Sequence, residues 1–112
     1  MERKIKKLLL DILISVKEID NYLGAKKFYA EYKKNKLIRR AIEREMEIIG
    51  EAMNRLLQLK PDINITEARH IVNFRNRISH GYDSIDDETV WSIIINHLPN
   101  LKSEAETLLN EN

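Results

Sequence analysis

The chain has 112 residues, 43% of them hydrophobic and 33% charged, with a formal net charge of +1 and no cysteine. This length suits one domain spanning residues 1–112, large enough for a core but too small for two, and the composition excludes a disordered segment. The missing thiols exclude disulfides and thiolate metal sites and point to a reducing cytoplasm; the near-neutral charge leaves any nucleic-acid affinity to a local basic patch.

Met1-Glu2-Arg3-Lys4 ahead of Leu8-Leu9-Leu10 has the basic head and apolar run of a signal peptide. Asp11 and Lys17 interrupt the run, however, and no small-residue cleavage site follows. Ile5, Leu8, Leu9, Ile12, Val16, Ile19 and Leu23 keep three- and four-residue spacing, which predicts a helix from Glu2 to Leu23 that stops before Gly24. No apolar stretch reaches the roughly 20 residues of a membrane span, so no membrane association is expected.

Between Ala25 and Lys34, the aromatics Phe28, Tyr29 and Tyr32 suggest a short helix or ordered loop packed on the bundle. A long helix is expected from Lys36 to Lys60, where Leu37, Ile38, Ala41, Ile42, Ile48, Ile49, Ala52, Met53, Leu56 and Leu57 form an apolar stripe. Arg39–Glu43 and Glu51–Arg55 lie four apart on its solvated side. Gly50 costs this helix about 1 kcal/mol against alanine, which suggests close approach of a neighbouring helix. Pro61 and Asp62 end the element.

A third main helix is expected after Asn64, which with Glu67 makes a capping box, and it runs to His80. A fourth begins at Asp86, with Ile85 and Val90 placed as a hydrophobic staple and Asp87 and Glu88 at the positive dipole end. Its stripe of Val90, Ile94, Leu98, Leu101, Ala105 and Leu108 keeps phase across Pro99, which predicts one kinked helix rather than two. The fold class is therefore all-α: an antiparallel four-helix-type bundle with a short extra helix between the first two main ones.

The chemistry concentrates at the end of the third helix, in Phe74-Arg75-Asn76-Arg77-Ile78-Ser79-His80-Gly81-Tyr82. Gly81 is the expected stop, because glycine accepts the left-handed conformation just past a helix end. On a helical wheel, Ile65, Ala68, Ile71, Val72 and Ile78 point broadly one way, and Arg75 falls near the centre of that direction. An unpaired guanidinium there would cost several kcal/mol, so Arg75 requires a carboxylate, a subunit boundary or a polar cleft. Asn76 and His80 stack on a flank of that face, with Arg69, Asn73 and Arg77 close by.

Taken singly, these residues have plainer readings. Arg75 fits a structural ion pair, His80 a helix C-terminal histidine favoured by the dipole, and Tyr82 a packed phenol. Asn76 and Ser79 suit a helix end, and Arg69 and Arg77 a solvated face. Their coincidence at one helix terminus favours a functional site. Glu67 and His70 have the E-x-x-H spacing of di-iron bundles, but there is no second copy, His97 has no glutamate three residues before it, and the wheel sends His70 outward. No metal and no cofactor are expected. No pair of helices stands out as a DNA-reading helix-turn-helix.

The octet Arg75 to Tyr82 resembles the R-x4-H-x-Y motif of the HepT family of HEPN-domain toxins. Asn35 to Arg44, Ile48 to Ala52 and Val90 to Ile94 are also similar to family segments, so the resemblance covers nearly the whole chain. It implies a metal-independent endoribonuclease from a prokaryotic toxin–antitoxin pair, built as a helical bundle that forms a homodimer with a composite cleft. The implied partners are an RNA substrate and a small MntA-like nucleotidyltransferase antitoxin, which silences the toxin by adenylylating the motif tyrosine. Carried over, Arg75 and His80 are the catalytic pair, Asn76 is the polar residue after the arginine, and Tyr82 is the modification target. Arg77, Ser79, Arg69 and Asn73 stand beside them as supporting RNA-binding groups. The alternative is a non-catalytic HEPN protein that binds nucleotides or serves a nucleotidyltransferase as an accessory subunit. The intact Arg75–His80 pair favours the nuclease.

Overall fold

Six helices follow one another among the described residues: α1 (Arg3–Leu23), α2 (Tyr29–Lys34), α3 (Lys36–Leu59), α4 (Ala68–Ser79), α5 (Asp87–Asn96) and α6 (Leu98–Asn110). The computed structural model describes residues 2–24, 27–79 and 87–111, and for 75–79 the backbone alone. The architecture is an all-α bundle without strands among these residues. Packing centres on α3, whose 24 residues give a rod of about 36 Å. It lies against α1, α4 and α2, while α6 closes on α1 and α5.

Periodicity accounts for α1 and α3. In α1 the buried set is Ile5, Leu9, Ile12, Ser15, Val16 and Ile19, and the helix stops at Gly24, whose φ of 79° is one that side chains rarely adopt. In α3 the Asn35 side chain caps the start by accepting from the Ile38 N–H at 3.1 Å. The core row of α3 runs Ile42, Met46, Ile49, Met53, Leu56. Leu37, expected in that stripe, is 80% exposed, because it is rotated about 100° from Ile38, which leads the buried row. Gly50 is buried, as close helix packing requires.

The aromatic cluster differs in one member. Tyr32 is buried and Tyr29 partly so; their ring centroids lie 5.4 and 5.7 Å from Trp91 of α5, which pins α2 to that helix. Phe28 is instead 58% exposed, one residue ahead of the helix. Arg39 also departs from expectation. Its guanidinium donates to the Lys33 carbonyl and lies 3.9 Å from the Asp87 carboxylate, so it ties α3 to α5, and it acts on Glu43 through its charge rather than through a direct ion pair. The Glu51–Arg55 pair does form, at 3.3 Å. Burial pushes the Glu43 carboxyl above its usual pKa, with Arg40 opposing the shift.

The start of α4 and the course of the last helices correct the sequence reading. The Asn64–Glu67 capping box does not form. The Thr66 N–H and hydroxyl both donate to the Glu104 carboxylate of α6, the hydroxyl at 2.7 Å, and α4 begins only at Ala68. Glu67 turns instead to His97. Glu104→Ala should therefore destabilise the fold by about 1 kcal/mol, the usual cost of losing a cap, read as a lower melting temperature; an unchanged melt would show the contact to be idle.

The expected single helix across Pro99 is two helices, broken at His97. Proline has no N–H to donate and its ring crowds the carbonyl four residues back, so Pro99 sits in the first turn of a new helix. The His97 N–H still reaches the Ile93 carbonyl at 2.9 Å and the Leu101 N–H reaches the His97 carbonyl at 3.0 Å, which preserves the phase. Val90, Ile94, Leu98, Leu101, Ala105 and Leu108 are accordingly all buried. No helix among the described residues is long and apolar enough to cross a membrane.

Candidate nucleic-acid interface along the fourth helix

Helix α4 divides into two faces. Ala68, Ile71, Val72 and Phe74 are buried against the bundle, whereas Arg69, His70 and Asn73 are exposed. By helical phase, position 75 follows Ala68, Ile71 and Val72, and positions 76 and 77 follow Asn73. Arg75, Asn76, Arg77 and Ser79 thus occupy the last turns of α4, with the backbone alone described. His80, Gly81 and Tyr82 lie outside the described residues, as do Ile85 and Asp86 of the expected staple.

Beside the exposed face, α4 and α5 enclose a cavity of about 510 Å³. Buried Phe74 and Ile93 form its apolar side; His70, Asn73, Glu88, Thr89, Ser92 and His97 supply two imidazoles, an amide, a carboxylate and two hydroxyls. The Glu67 carboxylate contacts His97 Nδ1, and the His97 ring stands 5.2 Å from that of His70, tilted by 47°. The outward placement of His70 agrees with the wheel. Its meeting with His97, and that of His97 with Glu67, was not visible in sequence, since Glu67 and His97 are 30 residues apart on separate elements. The one local signal was a histidine immediately before a Leu-Pro helix start. Among the described residues, no group of three or more His, Asp or Glu side chains is arranged to hold a metal ion.

With this helix and its flanking cavity defined, the decisive comparison is at the level of family. The model of the family described as "Ribonuclease HepT-like" matches residues 12–108, from within α1 into α6 and across the whole octet. The chain belongs to the HepT-like ribonuclease family. A Methanocaldococcus jannaschii protein named as a candidate RNase is 34% identical over 109 residues, 94% of this chain and 96% of that protein. A second from the same organism, also named as a candidate RNase, is 29% identical over 98% of this chain and 91% of its own length. A Thermococcus cleftensis protein named probable ribonuclease HepT is 29% identical over 96% of this chain and 98% of its own. No solved structure matches the chain.

Proposed function

We propose that this chain is a metal-independent endoribonuclease, the toxin of a prokaryotic toxin–antitoxin pair, working in the cytoplasm as a homodimer of single-domain subunits. The observation that carries the reading is the family match across nearly the whole chain, with the R-x4-H-x-Y octet intact inside the matched residues. RNA contains its own nucleophile. When the 2′-hydroxyl loses its proton, its oxygen bonds to the neighbouring phosphorus and the 5′-oxygen leaves with a proton, giving a 2′,3′-cyclic phosphate and a free 5′-hydroxyl. The enzyme must move two protons and stabilise the charge on phosphorus.

His80, with an unperturbed pKa of about 6.5, suits proton transfer near neutrality. Arg75 is permanently charged, and its planar fork matches the phosphate oxygens of the transition state. Asn76 orients the imidazole or donates to phosphate, while Arg69, Asn73, Arg77 and Ser79 hold the strand. Two copies of the α4 end facing one another across a dimer would supply one histidine as base and one as acid. That boundary would also give Arg75 a polar surrounding despite its position in phase with Ala68, Ile71 and Val72.

Purified protein incubated with RNA in excess chelator should still cut and should leave cyclic phosphate ends, detected by resistance of the 3′ ends to ligation until the cyclic group is opened and the resulting phosphate removed. Cleavage that stops on chelation and returns with added divalent metal would refute the mechanism.

A further inference from the structure

Apart from Asn73, already placed on the RNA strand, the residues lining the cavity between α4 and α5 take no part in the chemistry proposed above. Its walls combine buried Phe74 and Ile93 with neutral hydrogen-bonding groups from Asn73, Thr89 and Ser92 and the carboxylate of Glu88, and among the described residues no lysine or arginine lines it. A site built for a free phosphate would carry a cation, and the Glu88 carboxylate opposes a phosphate; a site built for a nucleobase needs a flat stacking surface, an apolar floor and hydrogen-bond donors and acceptors. Its volume of about 510 Å³ lies within the usual range for a small-molecule pocket.

We propose that this cavity binds one unpaired RNA base beside the cut, with His70 as the stacking surface and Asn73, Thr89 and Ser92 reading the base edge. The inference rests on the ribonuclease reading for its ligand. Single-stranded RNA is recognised in this way, by bases splayed onto aromatic or histidine rings and hydrogen-bonded along their edges. The placement along α4 is suitable: positions 70, 73 and 77 recur at three- and four-residue spacing, so the face lining the cavity leads within about one turn to the octet. The Asn73 amide offers both donors and acceptors, which allows it to select among bases. Glu67 and His97 act as positioning residues: the carboxylate fixes the His97 ring, and that ring stands behind His70.

The test titrates the full chain with AMP, GMP, CMP and UMP, and separately with inorganic phosphate, following the His70 and His97 ring resonances by NMR. At least one nucleotide should shift both rings saturably while phosphate does not. His70→Ala should weaken that binding by about fivefold or more, the lower range for loss of a base stack. Ser92→Trp, at an exposed position where the fold tolerates bulk, should fill the cavity and remove the shifts. Shifts reproduced by phosphate alone, absent for every nucleotide, or unaffected by Ser92→Trp would overturn the proposal. Sequencing the ends of cut RNA supplies the second arm, since Asn73→Ala should relax the base preference next to the cut. Nucleotide shifts in a protein that cuts no RNA would sink the nuclease reading and leave the base pocket standing; cutting without nucleotide shifts would do the reverse.

Discussion

His80→Ala should lower RNA cleavage by about 10²- to 10⁴-fold, the range that general acid–base groups supply. In the proposed mechanism His80 is the titratable group that accepts the 2′-hydroxyl proton, and its counterpart across the dimer returns a proton to the leaving oxygen. Arg75 is charged at every accessible pH and serves only electrostatics. Removing the imidazole therefore removes both proton transfers at once, because a homodimer carries the substitution in both copies. Helical circular dichroism and oligomeric state should match those of the unsubstituted protein, which assigns the loss to chemistry. Mixed dimers provide the sharper measurement: one His80→Ala subunit paired with one unsubstituted subunit should also be impaired, since it retains a base without an acid or the reverse. A homodimeric variant cutting at the original rate would remove His80 from the reaction.

The contrast between what was legible in sequence and what was not follows from chain separation. The extents of α1 and α3 follow from a 3.6-residue rhythm within one segment, and the phase of the row from Val90 to Leu108 survives a helix break for the same reason. The octet is legible because it is contiguous. A wheel drawn for one helix contains no record of which element crosses it. Thr66 and Glu104 are 38 residues apart, and Glu67 and His97 are 30 apart. Each carboxylate satisfies a group on another element, and Glu67 is thereby drawn away from Asn64, the local partner that spacing suggested. Arg39 behaves similarly, reaching across to Asp87 while its charge still favours the Glu43 carboxylate. Phe28 and Leu37 show the converse limit, since an apolar residue at the margin of a stripe is buried only where a neighbour extends to meet it. The cavity beside α4 could not be foreseen because most of its lining comes from α5 and the residue just after it.

Tyr82→Phe should cut RNA normally yet resist silencing by the cognate nucleotidyltransferase, whereas the unsubstituted chain should lose about 10²-fold or more of its activity once modified, as expected when a charge-stabilising group is blocked. In that reaction the phenol oxygen attacks the α-phosphorus of ATP, pyrophosphate leaves, and the phenolic proton passes to a base. In the proposed silencing, the product would set a bulky phosphodiester and a negative charge in the cleft that Arg75 serves, in competition with RNA phosphate. The chain has four tyrosines, and the other three are poorly suited to this role. Tyr32 is buried, and burial pushes its phenol well above the usual pKa, with Asp87 and Glu43 adding to the shift. The Tyr22 hydroxyl donates to Glu45 at 3.1 Å, which holds its proton in place. Tyr29 is partly buried, its ring edge-on to Trp91. Peptide mass mapping after reaction with ATP and the nucleotidyltransferase should accordingly find the AMP on Tyr82. AMP on Tyr22, Tyr29 or Tyr32, with silencing intact in Tyr82→Phe, would place control of the enzyme elsewhere on the bundle.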